Sequence, residues 1–134
     1  VLFRSIKMEK IILYGLNDER TKQIHELLNN HGFENIKFIS NEMSNCITGF
    51  LHDLDGYTPD RKDGVKAPEI EFMMISGFDG ERINQLVSAF KTNQIERPVT
   101  SALTPSNKDW IFADLVNEVY EEHLYMTSQM NNQK

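Results

Sequence analysis

Cysteine is nearly missing: Cys46 is the only one in 134 residues. An internal disulfide framework is therefore excluded, and a reducing compartment suits the composition. Long apolar runs are missing as well. Ile11–Tyr14 and Phe72–Ile75 are short against the ~20 residues that a bilayer-spanning helix needs, so neither a membrane segment nor a membrane partner is expected. Positive charge is in deficit. The formal net charge is −6, which repels phosphate backbones and argues against a nucleic-acid partner. Arg61, Lys62 and Lys66 do cluster, but Asp60, Asp63 and Glu69 sit among them, the pattern of a solvated loop. The four histidines, His25, His31, His52 and His123, lack metal-site spacing with one another or with Cys46. No phosphate-loop or dinucleotide glycine pattern occurs. No metal, no cofactor and no catalytic set is predicted.

What is present is strand and helix in alternation. Lys10–Leu16 (KIILYGL) is a continuous apolar run, as a strand buried on both faces reads. Asn17-Asp18 caps a helix over Glu19–Asn30 with Ile24, Leu27, Leu28 and His31 on one stripe, and Gly32 ends it. Asn35–Ser40 alternates as an edge strand does. A shorter helix is expected from Ser44-Asn45 to about Leu54, with Ile47, Phe50, Leu51 and Leu54 as its apolar face. Asp55–Pro68 is the longest loop. Glu69–Gly77 is the second apolar strand, Glu81–Thr92 a helix with Ile83, Leu86, Val87 and Phe90 on one face, and Arg97–Leu103 a second edge strand carrying Pro98. A last helix is expected from Asp109 to about Met126, with Ile111, Phe112, Leu115, Val119 and Leu124 inward. Residues 1–7 read as an upstream or non-native extension ahead of Met8, residues 8–126 as one domain, and residues 127–134 as a flexible polar tail.

The chain repeats itself. Ile12-Leu13-Tyr14-Gly15-Leu16-Asn17-Asp18-Glu19-Arg20 lines up with Met74-Ile75-Ser76-Gly77-Phe78-Asp79-Gly80-Glu81-Arg82, and Gln23 with Gln85. Two β-α-β repeats with apolar first strands predict an α/β fold: a four-stranded, mainly parallel sheet of order 2-1-3-4 with helices on both faces. The alternative is a ferredoxin-like α+β fold with extra helices. The parallel reading uses the Ser44–Leu54 helix as the crossover between the halves. It also collects both glycine turns on one C-terminal rim, making Gly15, Asn17, Gly77 and Asp79 candidate ligand-binding residues. The competing reading makes them helix caps and turn glycines.

Thr104-Pro105-Ser106-Asn107-Lys108-Asp109-Trp110 is the most unusual stretch. Thr104, Ser106 and Asn107 place hydroxyl and amide groups at a helix start, and Trp110, the only tryptophan, follows in the expected first turn. This corner is the first candidate site; the ordinary alternative is that Trp110 covers the end of the sheet. Cys46 falls in the first turn of an expected helix, where a dipole activates a thiol; a buried, inert cysteine is the commoner case.

Ala102–Trp110, followed by Leu115, Glu118 and Glu122-His123, resembles the C-terminal signature of the bacterial family called domain of unknown function 3783, and Glu69–Phe90 is similar too. The resemblance implies a small bacterial cytoplasmic protein, no stated activity, and a linked set of Thr104, Asn107, Trp110, Glu118 and His123. The order of elements also resembles the sugar phosphotransferase B-type domain, but Gly15-Leu16 stands where that family carries a cysteine. The leading expectation is a non-enzymatic binding or regulatory module that takes a protein partner or a small anionic ligand at the C-terminal rim of its sheet. The alternative is a small enzyme or phospho-carrier-like protein using Cys46 or the Thr104–Asn107 corner.

Overall fold

The structure is a computed structural model that describes residues 9–62 and 66–132. The expected extension at residues 1–7 lies outside them. The chain divides into two compact units that alternate along the sequence. One runs to Ile39 and resumes over Ile70–Leu103; the other takes Ser40–Glu69 and everything from Thr104 onward.

The first unit holds the sheet. Its elements are β1 (Lys10–Tyr14), α1 (Asp18–Asn30), β2 (Ile36–Ile39), β3 (Phe72–Ser76), α3 (Gly80–Thr92) and β4 (Val99–Ala102). The strand order is β2-β1-β3-β4. β1 pairs with β2 in parallel and β3 with β4 in parallel, while the central pair, β1 with β3, is antiparallel. The fold is therefore α/β with a mostly parallel sheet of the expected order, built from two β-α-β repeats. The register runs from Lys10 opposite Ser76 to Tyr14 opposite Phe72, with Ile12 opposite Met74 at its centre. A pseudo-two-fold axis through that central pair relates the repeats.

The antiparallel centre corrects two expectations. The segment between β2 and β3 is not a parallel crossover, and the two glycine turns do not share a rim. Gly15 follows the end of β1 beside the start of β3, whereas Gly77 follows the end of β3 beside the start of β1. They sit at opposite ends of the sheet. Apart from Lys10 and Ser76 the central strands are apolar, so burial is satisfied by either orientation and hydrophobic pattern alone does not choose between them.

Both long helices of this unit lie on one face. Ile24, Leu27 and Leu28 of α1 and Leu86, Ala89 and Phe90 of α3 pack with Ile11, Leu13, Met73, Ile75 and Phe33 in one buried cluster. The opposite-facing Ile12, Phe72 and Met74 are fully buried too, which is why β1 and β3 read as unbroken apolar runs. The stripe edges turn outward: His31 is exposed just past α1, and Ile83 is exposed on α3. The helices also end alike. Phe33 N–H donates to Leu28 O, as Ile95 N–H does to Phe90 O, closing each C-terminus with a six-to-one bond through a left-handed residue, Gly32 in one repeat and Gln94 in the other.

The second unit carries a 3₁₀ turn at Glu42–Asn45, the short α2 (Thr48–Leu51) and the long α4 (Phe112–Asn132). The single helix expected over Ser44–Leu54 is broken because Cys46 and Ile47 are extended. Cys46 bridges Arg61, and Ile47 bridges Ile111. Phe112 N–H donates to Cys46 O, and Thr48 N–H donates to Trp110 O. The same bridge holds Trp110 and Ile111 out of helix, so α4 starts at Phe112 rather than Asp109. It then continues to Asn132, past the expected end near Met126, and Leu124, expected inward, is half exposed. Both repeats thus end alike in this unit: a turn, a bridging isoleucine, then a helix. Among the described residues no helix is long and apolar enough to cross a membrane.

Candidate functional site

The two glycine turns each lead into a capped helix. Asn17 Oδ1 accepts the Arg20 amide at 2.8 Å, and Asp79 Oδ1 accepts the Arg82 amide at the same distance. Each side chain is the N-cap of its helix, worth about 1 kcal/mol. Gly15 and Gly77 take φ of +79° and +77°, the left-handed turns that glycine permits. With the two turns at opposite ends of the sheet, these four residues do not converge on one site.

The arginine three positions after each cap does something the sequence reading missed. Arg20 Nε and Nη2 donate to the two carboxylate oxygens of Glu71, each at 2.8 Å. Arg82 Nε and Nη2 donate to Glu9 at 2.7 and 2.8 Å. Each repeat's arginine thus grips the other repeat's glutamate, and in both cases Nη1 reaches the matching glutamine, Gln23 or Gln85. The carboxylate partners raise both guanidinium pKa values above their ordinary value through hydrogen bonding, against an opposing effect of burial. The signal was present in the sequence: Glu9 and Glu71 are separated by the same spacing as Arg20 and Arg82.

The Thr104–Asn107 corner is braced by its own side chains. Thr104 N–H donates to Asn107 Oδ1 at 2.8 Å, Asn107 N–H reaches Thr104 Oγ1 at 3.2 Å, and the Thr104 and Ser106 hydroxyls lie 3.0 Å apart. These polar groups stabilise a turn that delivers Trp110. The Trp110 carbonyl is fixed by the backbone and hydroxyl of Thr48, while its residue remains 39% exposed.

Trp110 forms one wall of a groove of about 580 Å³ whose other walls come from Asp109, Asp114, Asn117, Glu118 and Glu121. Trp110 and Glu118, two members of the set implied by family resemblance, line the same groove. Asp114, Glu118 and Glu121 fall on successive turns of α4, and none takes part in an ion pair among the described residues. The corresponding stretch of the first repeat reads Asn45, Cys46, Phe50, Asp53, Leu54 and Tyr57 when the bridging isoleucines are superposed. The acidic, tryptophan-walled character thus belongs to the second repeat alone. Among the described residues no group of three or more His, Cys, Asp or Glu is placed to hold a metal ion; the carboxylates of the groove are spread along it.

Tyr57 anchors the edge of this groove. Its ring packs where a Cβ on Gly49 would fall, 2.6 Å away, and its hydroxyl donates to the Asp109 carboxylate. That hydrogen bond, more than burial or charge, holds the phenol above its ordinary value of 10.0. The stabilisation from this contact is therefore whole below pH 10 and fades as pH rises through the raised value. In an ultraviolet difference titration of wild type against Tyr57→Phe, Tyr57 is expected to ionise above 10, and Asp109→Asn to return it toward 10. Identical curves in the presence and absence of the Asp109 carboxylate would show that the contact does not form.

Cys46 is not in a helical first turn. It is extended and 3% exposed, and its thiol lies 3.8 Å from the Pro59 carbonyl, so the helix-dipole argument for an activated thiol no longer applies.

Comparison with known proteins adds one match: the family described as Domain of unknown function (DUF3783) aligns with residues 71–126. No curated protein and no solved structure matches the chain. The matched segment begins at Glu71 and ends within α4, so it spans the second β-α-β repeat together with the turn, Trp110 and the acidic helix face that follow it.

Proposed function

We propose that this is a small bacterial cytoplasmic binding module, non-enzymatic, that holds a basic segment of a protein partner in the groove beside Trp110. The observation that carries this reading is the groove itself: an exposed indole bordered by Asp109, Asp114, Glu118 and Glu121. An indole face attracts a guanidinium or ammonium through its quadrupole, worth about 0.5–1 kcal/mol at an exposed site. Unpaired carboxylates on one helix face add long-range attraction that salt screens over about 8–10 Å. The same charge disfavours the small anion considered from sequence. A net charge of −6 adds to the pull on a basic partner.

Trp110 is the only tryptophan, so its emission reports directly on the groove. Titration with a short arginine- and lysine-rich peptide at low salt is expected to change that emission, and a glutamine-substituted peptide to leave it unchanged. The double variant Glu118→Gln/Glu121→Gln should weaken binding about tenfold, as losing two rim charge pairs near the surface predicts. A response equal for both peptides, or none for either, would refute the reading.

A further inference from the structure

The repeats serve as controls for one another: a feature needed only for folding recurs in both, and one that departs from the symmetry calls for another reason. The largest departure in the sheet unit surrounds Phe33. Phe33 and Phe78 stack at 5.9 Å with an interplanar angle of 14°. By the repeat spacing their counterparts are aliphatic, Ile95 and Leu16. Gly32, with open space where a Cβ would point, corresponds to Gln94, and Asn35 to Arg97. These changes leave a cavity of about 250 Å³, floored by Ile11, Phe33 and Phe78 and rimmed by Gly32, Glu34 and Asn35.

Electrostatics at the two related positions also differ. Arg20 Nη2 also donates to the Glu96 carbonyl of the second repeat at 2.7 Å. Arg82 instead lies 4.4 Å from the centre of the Phe33 ring, and its bond to a backbone carbonyl, Gly32 O, is long at 3.4 Å. Both oxygens of Glu9 are taken by Arg82, so that pair is neutral. Glu34, exposed and in no ion pair among the described residues, leaves the rim with one uncompensated negative charge.

We propose that this cavity binds a small aromatic cation, an amidinium or primary ammonium carried on a single ring. The volume is just below the usual range of about 300–1,000 Å³ for ligand pockets, which admits one ring. Phe78 and Ile11 offer that ring an apolar floor, the Glu34 carboxylate receives the cationic head, and Asn35 lies beside it on the rim. The site is independent of the Trp110 groove, which lies in the other unit and carries a different set of residues.

The test uses the full chain and benzamidinium as probe, with neutral benzamide as control, followed by amide proton–nitrogen correlation spectra. Saturable shifts are expected at Gly32, Glu34, Asn35 and Phe78. Benzamide should bind about tenfold more weakly, and Glu34→Gln should reduce benzamidinium affinity by about the same factor, the weight of one charge-assisted hydrogen bond. Gly32→Gln copies the residue that the second repeat already holds at positive φ in Gln94; it should keep the native spectrum and abolish the shifts. Shifts confined to residues around Trp110, benzamide binding equal to benzamidinium, or undiminished binding by Gly32→Gln would each overturn the proposal.

Discussion

Arg82→Ala is expected to lower the stability of the sheet unit by about 3 kcal/mol, and Arg20→Ala by about half as much. Removing one partner of a buried ion pair costs about 3–5 kcal/mol, because the abandoned charge stays desolvated. The Glu9 side chain, 9% exposed, meets that condition; Glu71 at 33% is partly reached by water and does not. Arg82 also contributes its position over the Phe33 ring. Arg82→Lys should recover only part of the loss, since a single ammonium cannot match the two-pronged grip on Glu9. Urea denaturation followed by circular dichroism measures these differences. A double-mutant cycle with Glu9→Gln separates the pair from the general effect of truncation, because Glu9→Gln also removes the charge that Arg82→Ala would strand. Equal losses for Arg20→Ala and Arg82→Ala would mean that burial of the two glutamates does not govern the outcome.

This crossed pairing shows which parts of the fold were legible. The repeat was visible because local requirements recur: a glycine for the turn, Asn17 or Asp79 for the cap, then the arginine. The order 2-1-3-4 followed from apolar first strands and more polar second ones. The direction of the central pair did not follow, since it depends on contacts between residues far apart, such as Ile12 with Met74. An apolar strand buried on both faces has no alternation to show which way it runs. The broken helix at Cys46–Ile47 failed for a related reason. Helical periodicity through Leu51 is genuine, but the extended step is held by Ile111 and Arg61, partners invisible to a local window. At the candidate site, Thr104 and Asn107 hydrogen-bond to each other, while Asp114 and Glu121, which look like ordinary solvated helix residues, line the groove with Trp110.

The two repeats also differ in how they end. After the bridging isoleucine the first continues into α2, four residues long, and the second into α4, which runs on to Asn132. Successive turns of α4 are what bring Asp114, Glu118 and Glu121 alongside Trp110; α2 is too short to extend a comparable face. The family match over residues 71–126 contains all of these groove residues. It includes Phe78 but none of Ile11, Gly32, Phe33, Glu34 or Asn35, so most of the cavity proposed in the sheet unit is lined by residues outside the matched segment.

Gly15→Ala is expected to cost about 3 kcal/mol or more, whereas Gly32→Ala should cost about 1 kcal/mol. Both glycines have positive φ, +79° and +84°, so both substitutions carry the left-handed penalty of about 1–2 kcal/mol. Only Gly15 faces an obstacle. A Cβ there would lie 1.9 Å from the Ile70 carbonyl oxygen and 2.8 Å from its carbon, both backbone atoms, while nothing lies within 4 Å at Gly32. Relief at Gly15 requires the chain entering β3 to move, and with it Glu71, the partner of Arg20. Overpacking of this kind adds about 1–3 kcal/mol. Gly15→Ala should therefore also weaken the Arg20–Glu71 pair, so that adding Arg20→Ala to it costs less than Arg20→Ala alone. Comparable urea midpoints for Gly15→Ala and Gly32→Ala would show that the Gly15 turn does not press against Ile70, and additive losses with Arg20→Ala would show that it does not position Glu71.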